Sequence, residues 1–112
     1  MNRNYQIYLR DILENMDLAE HFIENLSHDG FSKDRKTVYA VLRCIEIIGE
    51  AAKNIPAEMR RAHPEIPWKE MAGMRDKITH FYFGVDMHKV WLVLREDIPR
   101  IKPQIEKILE DL

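Results

Sequence analysis

A chain of 112 residues, 46% hydrophobic and 32% charged, is long enough for one packed core and too short for two, so a single domain over 1–112 is expected. The net charge of −2 argues against indiscriminate attraction to nucleic acid over the whole surface. No apolar run approaches a membrane span and the opening Met1-Asn2-Arg3-Asn4-Tyr5 has no signal-peptide core, so a cytoplasmic protein without membrane contact is expected.

Charge is unevenly placed. Residues 1–31 carry two basic and six acidic side chains, residues 32–61 seven and four, and residues 62–112 eight and nine. Any RNA should therefore meet a local basic surface around the second segment and Arg75; a mixed solvated surface is the alternative that the same charges allow. The lone Cys44 lies in an apolar helical stretch and reads as a small buried residue. The five histidines His21, His28, His63, His80 and His88 have no zinc-ligand spacing, so neither a metal nor a cofactor is expected.

In chain order, Tyr5, Tyr8, Leu9, Ile12, Met16, Ala19, Phe22, Ile23 and Leu26 recur at threes and fours and predict a first helix from about Arg3 to Leu26. Its other face is acidic, as solvent alone requires. Ser27 to Ser32 is expected to turn the chain, with Gly30 in a left-handed conformation and Ser32 as the next N-cap. So short a connection implies antiparallel neighbours.

A second helix from Lys33 to about Asn54 buries Val38, Val41, Leu42, Ile45, Ile48 and Ala52, with Ile55 just beyond it. Gly49 in its interior costs about 1 kcal/mol relative to alanine and points to a close helix crossing. Arg43, Glu46, Glu50 and Lys53 form a polar stripe on this helix. Mutual ion pairing on a wet face accounts for the stripe; the functional alternative sets Glu46 or Glu50 beside Arg75 and His80.

Pro56 breaks or opens a short helix, Ala57 to about Ala62, and His63-Pro64-Glu65-Ile66-Pro67-Trp68 forms a stiff link in which Trp68 anchors the core. The next helix includes Met71 to Tyr82, with Met71, Met74, Ile78 and Phe81 as its core stripe. Gly84 ends it and Asp86 caps a helix through Val90, Trp91, Val93 and Leu94. Asp97-Ile98-Pro99 reads as a break and a fresh start for the last helix, through Ile101, Ile105, Ile108 and Leu112. The pattern specifies an all-α, up-down antiparallel bundle of four to five main helices.

The chemistry gathers on the outer face of the Met71–Tyr82 helix. Asp76 and His80 are i, i+4 neighbours, so the carboxylate can orient the imidazole and favour its protonated form. Thr79 flanks them. Arg75 offers a fork suited to phosphate oxygens, and with a proton-transferring histidine it makes the pair that phosphodiester cleavage needs. On a regular helix Arg75 and His80 diverge by roughly 140°, too far to converge easily on one phosphate. Either distorted geometry or a second chain completes such a site, and a two-fold axis through this face would bury the exposed ring of Phe83.

Arg75, four residues, His80, one residue and Tyr82 resemble the R-x4-H-x-Y motif of the HepT toxins, within the HEPN superfamily of helical ribonucleases. Ile45 to Ala52, Ile66 to Lys69, Val90-Trp91 and Asp97-Ile98-Pro99 agree with that family along nearly the whole chain. The resemblance implies a HEPN-like fold and a metal-independent endoribonuclease toxin of a type II or type VII-like toxin–antitoxin pair. Arg75 and His80 would be catalytic across a homodimer, Asp76, Thr79, Glu46 and Glu50 supporting, and Phe83 interfacial, with RNA (tRNA or mRNA) as substrate. It implies further that a cognate MntA-like nucleotidyltransferase antitoxin places AMP on Tyr82. A non-catalytic dimeric partner, or a nucleotide-binding regulatory subunit of a nucleotidyltransferase, is the alternative.

Overall fold

The local signals that set the helices begin with caps. A computed structural model describes the backbone over residues 4–80 and 86–112 and the side chains over residues 5–75 and 86–112. The described helices are α1 (Asn4–Phe22), α2 (His28–Lys33), α3 (Arg35–Lys53), α4 (Ala57–Ala62), α5 (Trp68–His80), α6 (Met87–Leu92) and α7 (Ile98–Glu110), with a π-helical segment, Val93–Asp97, joining the last two. Ser27 caps α2 by accepting from the Gly30 amide at 3.0 Å. Asp34 caps α3, accepting from the Thr37 amide at 3.2 Å and the Thr37 hydroxyl at 2.7 Å. Asp86 caps α6 as expected, through the amides of His88 and Lys89.

The all-α class is as the apolar periodicity specifies, and the long runs α1, α3, α5 and α6–α7 are its main members. Two local expectations are corrected. The segment after α1 is a short helix rather than a simple turn: Ser27, not Ser32, is its cap, and the left-handed residue is Asn25 at φ 67° rather than Gly30. Asparagine tolerates that region because its short polar side chain can bond locally. Nor is Asp97-Ile98-Pro99 a break. Pro99 has no amide to give the Arg95 carbonyl, and the backbone widens instead, with the Ile98 amide donating to the Val93 carbonyl five residues back. The helix thus passes through its proline.

The core stripes of α1, α3, α5 and α7 meet in one buried cluster that includes Leu9, Ile12, Met16, Val41, Ile48, Met71, Met74, Ile101 and Ile105. Ile78 and Phe81, expected in the same stripe, lie outside the described side chains. Cys44 is buried, and burial pushes its thiol pKa up, as suits a packing residue. Trp68 is buried too and its indole donates to the His63 carbonyl at 2.9 Å, which makes it the anchor its position suggested. Between α3 and α5, Arg60 closes the open end of α3, donating to the carbonyls of Ala52, Lys53 and Ile55 at 3.0, 2.9 and 3.1 Å.

The two ends of the chain are cross-tied. Lys102 reaches Asp17 at 2.6 Å and Glu20 at 2.8 Å, which raises its pKa, while Arg95 donates to the Leu26 carbonyl at 2.8 Å and lies 4.5 Å from the Trp91 ring centre. With residue 95 beside 26 and 102 beside 17–20, the last helical run is antiparallel to α1. Among the described residues no helix is long and apolar enough to cross a membrane.

Candidate active site

The close crossing suggested by Gly49 is present, and it positions the site. A Cβ on Gly49 would lie 2.8 Å from the Arg75 amide nitrogen and 3.2 Å from the Met71 carbonyl oxygen, so α3 and α5 touch backbone to backbone there. The next residue on α3, Glu50, is thereby set opposite Arg75. Its Oε2 is 3.0 Å from Arg75 Nη1, with about half of each side chain exposed. The polar stripe on α3 therefore divides: Arg43 pairs with Glu46 within the helix, whereas Glu50 reaches across to α5.

The ion pair fixes the direction of a guanidinium that still faces solvent. Glu50 orients the fork, and a planar guanidinium carries a permanent charge and a geometry suited to phosphate oxygens. The pair stands at the edge of a cleft of about 350 Å³ between α1, α3 and α5. Tyr8 and Asp11 of α1 face Arg43 and Glu46 of α3 and its C-cap Asn54 across it, with Ile47 and Ala51 as apolar lining. Residues 8–11 thus lie beside the C-terminal half of α3, as an antiparallel α1–α3 pair requires.

Both cleft guanidiniums have carboxylate partners, so of the two readings of the charge distribution the mixed surface is the one found here. Tyr8 and Asp11 carry no signal in the sequence: one belongs to a core stripe and the other to an acidic solvated face. Only the α1–α3 packing brings them to the site. Among the described residues, no three His, Cys, Asp or Glu side chains gather as a cation-binding group.

The backbone of α5 is α-helical through His80, which leaves positions 75 and 80 roughly 140° apart around its axis. Of the two ways to complete the site, a distorted helix is not seen in the backbone through His80, and residues 81–85 lie outside the described residues. The side chains of Asp76, Thr79 and His80 lie outside the described residues, as do Tyr82 and Phe83 altogether.

A family model described as "Ribonuclease HepT-like" matches residues 12–108. The chain belongs to the HepT-like ribonuclease family. A protein of Thermococcus cleftensis named "Probable ribonuclease HepT" is 51% identical over 108 residues, covering 96% of this chain and 98% of the relative. A Methanocaldococcus jannaschii protein named "Putative RNase" is 47% identical over 110 residues, covering 98% of this chain and 91% of its own length. One of Caldanaerobacter subterraneus with the same style of name is 42% identical over 103 residues, 92% of each chain. No solved structure is a significant match. The HepT-like membership agrees with the helical fold and assigns the chain to the ribonucleases.

Proposed function

We propose that this HepT-like chain is an endoribonuclease toxin that cuts RNA with Arg75 and His80 contributed at a homodimer interface. The observation that carries the reading is the Arg75–Glu50 pair at 3.0 Å, which holds a half-exposed guanidinium at the edge of a cleft large enough for part of a nucleotide. In the reaction, the ribose 2′-hydroxyl attacks the adjacent phosphorus, the bond to the 5′-oxygen of the next nucleotide breaks, and a 2′,3′-cyclic phosphate is left. His80 transfers the proton, oriented by Asp76 with Thr79 beside it, and Arg75 stabilises the charge gathering on the phosphorane oxygens. Glu50 keeps the fork aimed, and Glu46 restrains Arg43 at the same cleft.

The roughly 140° between positions 75 and 80 on a helix regular through His80 favours a site completed by a second copy. Phe83 is assigned to that interface. The requirement for a 2′-hydroxyl means that DNA is not cut. The partner that silences the toxin is a nucleotidyltransferase that adds AMP to Tyr82, placing phosphate charge near Arg75 and obstructing RNA.

The test is purified protein, free of partner and with a chelator present, incubated with total cellular RNA. Products ending in 2′,3′-cyclic phosphate are expected, and their loss in Arg75→Ala and His80→Ala variants of unchanged helical circular dichroism. Undiminished cutting by both variants would remove these residues from the mechanism. Sedimentation should show a dimer weakened by Phe83→Glu; an unaffected dimer places the interface elsewhere.

A further inference from the structure

We infer that the cleft beside Arg75 is a nucleobase subsite selective for guanine, with Asp11 and Arg43 reading the base edge and Tyr8 offering a stacking face. The inference rests on the ribonuclease reading, which seats a phosphate of the RNA on Arg75. A base attached to a nucleotide held there has the neighbouring cleft within reach, and the cleft's volume of about 350 Å³ lies in the range of small-molecule sites.

The charge of the lining selects what enters. Among the described lining residues three carboxylates, Asp11, Glu46 and Glu50, stand against two guanidiniums, Arg43 and Arg75, a formal −1 that disfavours a further phosphate. Glu46 is taken by Arg43 and Glu50 by Arg75. That leaves Asp11 as the carboxylate of the lining without an ion pair among the described residues. A half-buried acceptor of this kind is best satisfied by N–H groups of an uncharged ligand.

Guanine supplies them as no other RNA base does. Its N1–H and N2–H lie side by side and match the two oxygens of one carboxylate, while O6 and N7 accept from a guanidinium. Adenine, cytosine and uracil each set a ring nitrogen or carbonyl acceptor next to their donor, and that acceptor would face the Asp11 carboxylate. Tyr8, half-buried at the cleft, presents the aromatic surface on which an unpaired base of single-stranded RNA stacks. Asn54, whose amide donates to the Glu50 carbonyl at 2.9 Å, keeps its side-chain oxygen as an acceptor at the same wall.

The experiment has two arms on the full chain. In the first, GMP, AMP, CMP and UMP are titrated separately while the Tyr8 ring and Asn54 amide resonances are followed. In the second, single-stranded oligoribonucleotides that differ at one base next to the cut are compared for cleavage rate. Binding and cleavage should each favour guanine by roughly tenfold to a hundredfold. Asp11→Asn, confirmed as folded by its thermal melt, should erase that preference in both arms. Cleavage with no base preference, or with one unchanged by Asp11→Asn, overturns the subsite and leaves the ribonuclease reading standing. If no RNA is cut, the ribonuclease reading fails, and the titration alone decides: GMP selectivity lost in Asp11→Asn upholds the subsite, and indiscriminate or absent binding overturns it.

Discussion

Replacing Gly49 by alanine tests the helix crossing on which the site depends, because two opposed effects of known size compete there. Alanine in place of glycine inside a helix stabilises by about 1 kcal/mol on propensity alone. At Gly49 the added carbon would meet the Arg75 amide nitrogen at 2.8 Å and Arg75 Cβ at 2.9 Å, whereas ordinary contact begins near 3.4 Å. The atoms encountered belong to or adjoin the backbone of α5, so a rotamer change gives no relief and the helices must part by about 0.6 Å. Overpacking of this kind costs typically about 1–3 kcal/mol, which outweighs the propensity gain and leaves a net loss near 1 kcal/mol.

Gly73 provides the control, for it is also within a helix yet a Cβ there meets nothing within 4 Å. Gly73→Ala should therefore stabilise by about 0.5–1 kcal/mol. Urea unfolding followed by circular dichroism separates the two variants, and their melting temperatures should move in opposite directions by about 4 °C each. Parting the helices also draws Arg75 from Glu50, so cleavage by Gly49→Ala should fall further than its stability explains. A Gly49→Ala protein as stable as its parent, or more so, would refute the backbone-to-backbone crossing.

Three further outcomes follow from the same contacts. Glu50→Gln should change stability by no more than about 0.5 kcal/mol, since the pair is half exposed, yet lower the cleavage rate by roughly tenfold through loss of aim at Arg75; equal rates in parent and variant would count against that role. The Thr37 hydroxyl and amide hold the Asp34 carboxyl below the ordinary 3.8, so its contribution is full above that pH and is lost as the pH falls through the lower folded value. Melts of parent and Asp34→Asn should accordingly differ at neutral pH and converge in acid. Cys44, buried and with its thiol pKa raised, should react with a disulfide reagent slowly when folded and fully in urea; rapid native labelling would contradict its burial.

Much of this architecture is legible because a core-facing helix must repeat its apolar residues at threes and fours. The stripes of α1, α3 and α7 are written in Leu9, Ile12 and Met16, in Val41, Ile45 and Ile48, and in Ile101, Ile105 and Ile108. Gly49 was legible for the opposite reason, as a residue whose helical cost needs a compensating contact. The misplaced details are those where several backbone solutions share one composition. Ser27 to Ser32 contains three residues of N-cap type, Ser27, Asp29 and Ser32, and a glycine, and only the observed backbone tells a one-turn helix from a turn. Pro99 can end a helix or be accommodated by a wide turn, a choice decided by the packing of Leu94 and Ile98 into the core. At the site, the Arg75–Glu50 contact could be set out as one of two outcomes for the α3 stripe. Tyr8 and Asp11 could not, since their place depends on packing with residues more than 30 positions away. His80 and Tyr82 are legible as a motif alone.

The link between α3 and α5 has a consequence for how far this chain can be shortened. The two helices touch at Gly49 and Arg75, yet the chain travels through residues 54–67 to join them. Loop-closure entropy would favour trimming that excursion by only about 0.6 kcal/mol for each halving of its length. The excursion carries Arg60 back to three carbonyls at the end of α3 and sets Trp68 against the core. A deletion within it would keep the helices adjacent while leaving α3 frayed next to Glu50, so length in this connection is a component of the scaffold rather than slack.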